Sequence, residues 1–170
     1  MDFVPVSRLA GGAALSADQR TAVDRALAAH GDLPGALLPV LHAIQEALGF
    51  VPPDATGVIA EGLNLSRADV HGVIGFYHDF RSARPGRHVV KLCRAEACQA
   101  MGAARLEAEL TARHGVSCGE TTTDGAITLD AVYCLGNCAL GPSAMIDGEL
   151  VGRVTADVVD ARIGAAGRTP

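Results

Sequence analysis

The sequence predicts an α/β chain in two parts: a helical region over residues 1–84, then a mixed sheet-and-helix domain over residues 85–170. Two observations lead there. Apolar residues recur at helical spacing through the first half, whereas short β-branched runs alternate with helical stretches in the second. The composition also changes at RSARPGRH, residues 81–88, where Arg81, Arg84 and Arg87 surround the turn-forming pair Pro85-Gly86 and mark a linker.

Each element has a local cause. Ser16-Ala-Asp-Gln19 is a capping-box pattern ahead of TAVDRALAAH, and His30-Gly31 supplies a stop, so a helix spans about Ala17 to Ala29. In PGALLPVLHAIQEALG, Leu37, Leu41, Ile44 and Leu48 form a stripe at spacings of four, three and four, which reads as core. Gly49 and then Pro52-Pro53 end that helix, and Pro39 falls in its first turn, where proline is tolerated. A shorter helix follows over about Asp54 to Leu63, and Ser66 with Asp69 caps another through VHGVIGFY.

Beyond the linker, HVVKLC reads as a strand, CQAMGAARLEAELTARHG as one helix ending on His114-Gly115, and AITLDAVYC as a further strand. SAMID and ELVGRV flank Asp147-Gly148, a pair that tolerates positive φ and marks a hairpin. Thr155 with Asp157 opens a last helix to about Gly164. This order suits a thioredoxin-like sheet with helices on its faces.

Composition narrows the function classes. Hydrophobic residues at 49% and charged residues at 19% describe a chain that folds rather than a disordered one. A formal charge of -5 leaves no basic face for phosphates, and the absence of Trp with only two Tyr and four Phe removes stacking platforms, so nucleic acid is excluded as a partner. The N-terminal twenty residues lack the basic start and continuous apolar run of a secretory leader. No segment reaches the roughly 18 uninterrupted apolar residues of a membrane span. The expected location is cytoplasmic, where cysteines serve metal or redox chemistry more than structural disulfides.

Four of the five cysteines form two pairs, Cys93-x4-Cys98 and Cys134-x3-Cys138, separated by 35 residues. Zinc sites with four thiolates usually use Cys-x2-Cys knuckles, and neither pair has that spacing. A 2Fe-2S rhomb has two irons that each take two thiolates, so two wider loops approaching from opposite sides suit it. Cys93 and Cys98 would then hold one iron, and Cys134 and Cys138 the other. Cys98 opens the predicted helix, which would aim free N–H groups at the cluster, and the glycines of YCLGNCALGP let its backbone curl so that amides face sulfur. Disulfides, a zinc-stabilised interaction module and a thioredoxin-type dithiol are the competing readings. Cys118 stands outside the pattern as a partly buried structural thiol. His42, His71 and His78 lack metal-ligand spacing and read as surface or interface residues. No nucleotide-binding glycine loop and no hydrolytic triad are present in the pattern, so no catalytic residue is assigned.

These residues resemble a known family, the thioredoxin-like 2Fe-2S subunit shared by respiratory complex I, NAD-reducing hydrogenases and NAD-dependent formate dehydrogenases. The likeness runs through LPVLHAIQEALGFVPPDA, LSRADVHGVIGFYHDF and both cysteine loops, with CLGNCALGP its most specific piece. The loop CRAEACQAMGA most resembles the gamma subunit of soluble, molybdenum-containing, NAD-dependent formate dehydrogenases. The resemblance implies one 2Fe-2S cluster on Cys93, Cys98, Cys134 and Cys138, with Cys118 matching no ligand position. It also implies an electron-transfer subunit that is not catalytic alone and that holds its cluster near a flavin. FMN, NAD and molybdopterin would belong to partner subunits: an FMN- and NAD-binding flavin subunit, and a molybdopterin/iron-sulfur subunit that oxidises formate to CO2. The equivalent subunit of complex I or of an NAD-reducing hydrogenase is the alternative.

Overall fold

The computed structural model describes residues 14–166. They form two compact units that divide between Arg84 and Pro85.

The first unit is helical. α1 (Ala17–His30) opens on a complete capping box: Ser16 Oγ accepts the Gln19 amide at 3.2 Å, and Gln19 Oε1 accepts the Ser16 amide at 3.0 Å. α2 (Leu37–Leu48) ends where Gly49 turns left-handed at φ 84°. A 3-10 turn over Pro53–Ala55 leads into α3 (Thr56–Gly62), splitting what the sequence predicts as one short helix. α4 (Arg67–Phe76) begins on a second capping box, Ser66 with Asp69.

The face that α2 buries carries Val40, Leu41 and Ile44, with Leu37 and Leu48 at its margins, and it packs with Val23, Ile59, Val70 and Phe80 into one core. The predicted stripe is therefore core. The end of α4 departs from it: Phe76 is 73% exposed and Tyr77 also faces outward. Gln45 returns the chain to α2, because its side chain donates to the Asp79 carbonyl at 2.8 Å and accepts the Arg81 amide at 2.7 Å.

The second unit is built on a five-stranded sheet in the order β2-β3-β1-β4-β5. Its strands are β1 (His88–Cys93), β2 (Glu120–Thr121), β3 (Ile127–Val132), β4 (Ala144–Ile146) and β5 (Glu149–Val151). β1 and β3 run parallel, with Cys93 level with Val132, and the other pairings are antiparallel. The hairpin between β4 and β5 turns on Asp147 (φ 50°) and Gly148 (φ 86°), as the Asp-Gly pair predicts. β2 escapes sequence reading, since two exposed polar residues carry no alternating pattern.

The predicted helix over 98–114 is two helices, α5 (Glu96–Ala100) and α6 (Ala103–His114). Gly102 separates them at φ +93°, a conformation that a side chain opposes and glycine accepts. α7 (Ala156–Ala166) closes the unit, its start capped by Thr155 Oγ1, which accepts the Val158 amide at 3.3 Å. Leu106 and Leu110 from α6 and Val159 from α7 join Val90, Leu92, Ile127, Leu129, Ala144 and Ile146 in one core. Those strand residues alternate in sequence, so both helices cover the same face of the sheet. Arg113 ties the two helices together through Asp157 at 2.7 Å and Asp160 at 2.6 Å.

Candidate cysteine site

Parallel pairing decides where the cysteines meet. β1 ends at Cys93 beside the last residue of β3, so the loops leaving both strands emerge at the same end of the sheet. Cys93 closes β1, Cys98 lies in the first turn of α5, Cys134 follows β3, and Cys138 opens a 3-10 turn over Cys138–Leu140.

The two pairs differ in exposure. Cys93 and Cys98 are buried at 2% and 1%, packed with Ala103, Ala95, Val132 and Leu135, whereas Cys134 and Cys138 face solvent. The Cys134 and Cys138 sulfurs stand 3.8 Å apart. Two thiolates about 2.3 Å from one tetrahedral metal are also separated by roughly 3.8 Å, so this pair needs little movement to share an ion. Cys93 and Cys98 are themselves within hydrogen-bonding reach of each other. Among the described residues, no three His, Cys, Asp or Glu side chains converge on a single ion position. The thiols present themselves as two pairs.

Backbone amides surround the inner sulfurs. Burial pushes the Cys93 thiol up, but the amide of Ala95, the Cys98 thiol and the amides of Cys134 and Leu135 outweigh it and draw it below the ordinary thiol range. Burial and the neighbouring Cys93 sulfur raise Cys98 despite the opposing Ser143 amide. Cys138 is raised by its bond to Cys134. The Gly136 amide donates to Cys134 Sγ at 3.4 Å. Cys134 adopts φ 95°, a conformation that costs a non-glycine residue about 1–3 kcal/mol and that turns the local amides toward Cys93.

The amides thus come from the loops, where the sequence points to a helix start at Cys98. α5 begins two residues earlier, at Glu96, and runs for only five residues. A chelating group that carries negative charge fits this setting, because pre-aimed N–H donors disperse charge that burial would otherwise oppose. Sequence reasoning missed Ser143, a buried residue beneath both loops, since a lone serine after Gly-Pro carries no distinguishing pattern.

The remaining candidates lie elsewhere. Cys118 packs at the margin of the sheet core, and its thiol is pushed up to about 11 by burial and by Glu107. His42 stacks on Phe80 with ring centroids 5.0 Å apart, while His71 and His78 are exposed.

Residues 23–166 match the model of the thioredoxin-like 2Fe-2S ferredoxin family. The chain belongs to that family. Among its relatives, a subunit of the NADH-quinone oxidoreductase of Escherichia coli K12 is 34% identical over 145 residues, covering 85% of this chain and 87% of the relative. The HndA subunit of the NADP-reducing hydrogenase of Solidesulfovibrio fructosivorans is 31% identical over 121 residues, 71% of each chain. In fold, this thioredoxin-like ferredoxin resembles a chain of an NAD+-reducing NiFe-hydrogenase crystallised in the air-oxidized state. The TM-score is 0.64 at 24% identity, over 76% of this chain but only 23% of the hydrogenase chain. Membership makes this an electron-transfer protein of the 2Fe-2S class. Among the described residues, no helix is long and apolar enough to cross a membrane.

Proposed function

We propose that Cys93, Cys98, Cys134 and Cys138 ligate one 2Fe-2S cluster, and that the chain is a non-catalytic electron-transfer subunit of a cytoplasmic, multisubunit NAD-dependent formate dehydrogenase. The observation that carries the ligand assignment is the meeting of two thiol pairs at one end of the sheet, one pair already at the sulfur spacing of a shared metal. When bound, such a cluster accepts and releases one electron at a time, which matches it to a flavin that handles hydride as an electron pair.

The protein's own part is to hold and insulate. Cys93 and Cys98 would hold one iron from an apolar bed, and the amides of Ala95, Cys134 and Leu135 would offset the added charge. Cys134 and Cys138 would hold the other iron at the surface, with exposed Tyr133 (73%) and Leu140 (41%) close to them in sequence. Solvent-facing Cys134 and Cys138 leave this side of the site open to a flavin subunit.

The formate assignment rests on CRAEACQAMGA, and on it the partners are an FMN- and NAD-binding subunit and a molybdopterin subunit. The relatives named above favour a second reading, the equivalent position in an NADH-quinone oxidoreductase or a hydrogenase. Purifying the native assembly tests both levels. The proposal expects a rhombic 2Fe-2S EPR signal in the reduced subunit, co-purifying molybdopterin and flavin subunits, and formate-dependent NAD+ reduction. Zinc without acid-labile sulfide would overturn the cluster. Quinone or hydrogen activity with no formate activity would transfer the subunit to the other complexes.

A further inference from the structure

We propose that Ser143 is the positioning residue that clamps the two cysteine loops together and thereby sets the properties of the cluster; this rests on the ligand assignment above. Ser143 is 2% exposed and every polar group it carries is directed at one loop or the other. Its carbonyl accepts the Cys93 amide at 3.0 Å, and its own amide faces the Cys98 sulfur. Its hydroxyl turns to the second loop, donating to the carbonyl of Asn137 or Leu140, each at 3.3 Å, and accepting from Asn137 Nδ2 at 3.2 Å.

The second loop is also pressed from behind. A Cβ at Gly152 would stand 2.7 Å from both Asn137 Nδ2 and Leu140 Cβ, so only glycine allows this approach. The Arg153 amide donates to the Leu140 carbonyl at 2.6 Å, and the Val154 amide to the Pro142 carbonyl at 2.9 Å. Asn137 is therefore confined between the β5 exit and Ser143.

The consequence falls on Cys93. Its sulfur receives amides from Cys134 and Leu135, which ride on the second loop, while its backbone is fixed to Ser143. The Ser143 hydroxyl is the link that keeps those donors in range. Removing it lets the second loop drift, weakens amide donation to sulfur, and makes the reduced cluster harder to form.

The test compares full-length wild type with Ser143→Ala, Asn137→Ala and the double variant, each loaded with cluster. All four are expected to hold full iron and sulfide. Both single variants should show a lower midpoint potential and altered EPR g-values, and should lose cluster to a chelator roughly five- to tenfold faster, the effect of one buried hydrogen bond. The double variant should match Ser143→Ala, because Asn137→Ala removes only an amide donor that the missing hydroxyl can no longer accept. Unchanged potential and g-values in Ser143→Ala, or additive effects in the double variant, would overturn the clamp. Should Ser143→Ala fail to fold, Ser143→Gly, which removes the same hydroxyl without adding bulk, decides in its place: a wild-type potential there overturns the proposal. Wild type lacking iron and sulfide would instead sink the ligand assignment, and the clamp with it.

Discussion

Arg94 Nε lies 3.2 Å from Glu107 Oε2, and the same carboxylate faces the thiol of Cys118. The residue that follows Cys93 is thus tied to α6, and the fifth cysteine sits against a negative charge in a partly buried position. Burial and that carboxylate both disfavour its thiolate, and Cys118 is held near 11.

On the proposed ligand set Cys118 is the remaining thiol, and its titration can be read alone in the cluster-loaded protein. Alkylation rates measured against pH should rise with a midpoint near 11, well above the roughly 8.5 of an unperturbed thiol. The sign for stability follows. Between those values the unfolded chain has lost the proton that the folded chain keeps, so raising the pH through this window destabilises the fold. A midpoint near 8.5 would contradict the burial.

Cys134→Ser removes a proposed ligand, and Cys118→Ser removes a thiol that joins neither pair. Iron and acid-labile sulfide should fall sharply in the first and stay at wild-type content in the second. Equal loss in both would show that the ligand set is wrong.

At Gly102, φ +93° breaks the 98–114 stretch into α5 and α6. Gly102→Val should destabilise the chain by about 1 kcal/mol or more, read as a lower urea midpoint. If instead the variant matched wild type, a continuous helix would be the better description.

Ser66→Ala removes both the acceptor for the Asp69 amide at 3.1 Å and the hydroxyl that bonds Asp69 Oδ2 at 2.7 Å. The expected loss is about 1 kcal/mol, measured by urea unfolding. A wild-type urea midpoint would mean that this capping box contributes nothing to α4.

The parts of the fold that the sequence discloses are those with local causes. Ser16 and Ser66 announce their helices through side-chain chemistry with the third residue onward, and Asp147-Gly148 announces a hairpin through its backbone preference. The split at Gly102 is less visible, because glycine within a run of strong helix formers reads as tolerated until tertiary packing selects its left-handed state. For the site, spacing is enough to pair the cysteines. Which pair is buried depends on strand order, which spacing does not encode. Ser143 stays hidden for a different reason: its partners Cys93, Cys98, Asn137 and Leu140 come from two loops far apart in the chain, so its importance exists only after the sheet has formed.

The parallel pairing of β1 with β3 also orders events in time. In synthesis Cys93 and Cys98 emerge well before Cys134 and Cys138, and no local loop holds more than one pair. Joining the pairs requires a non-local strand pairing with α5, α6 and β2 threaded between, a contact type that forms slowly. The nascent chain therefore has no complete metal nest to offer. If the proposed ligand set holds, cofactor delivery follows closure of the sheet, and a donor would meet the solvent-facing Cys134 and Cys138 first.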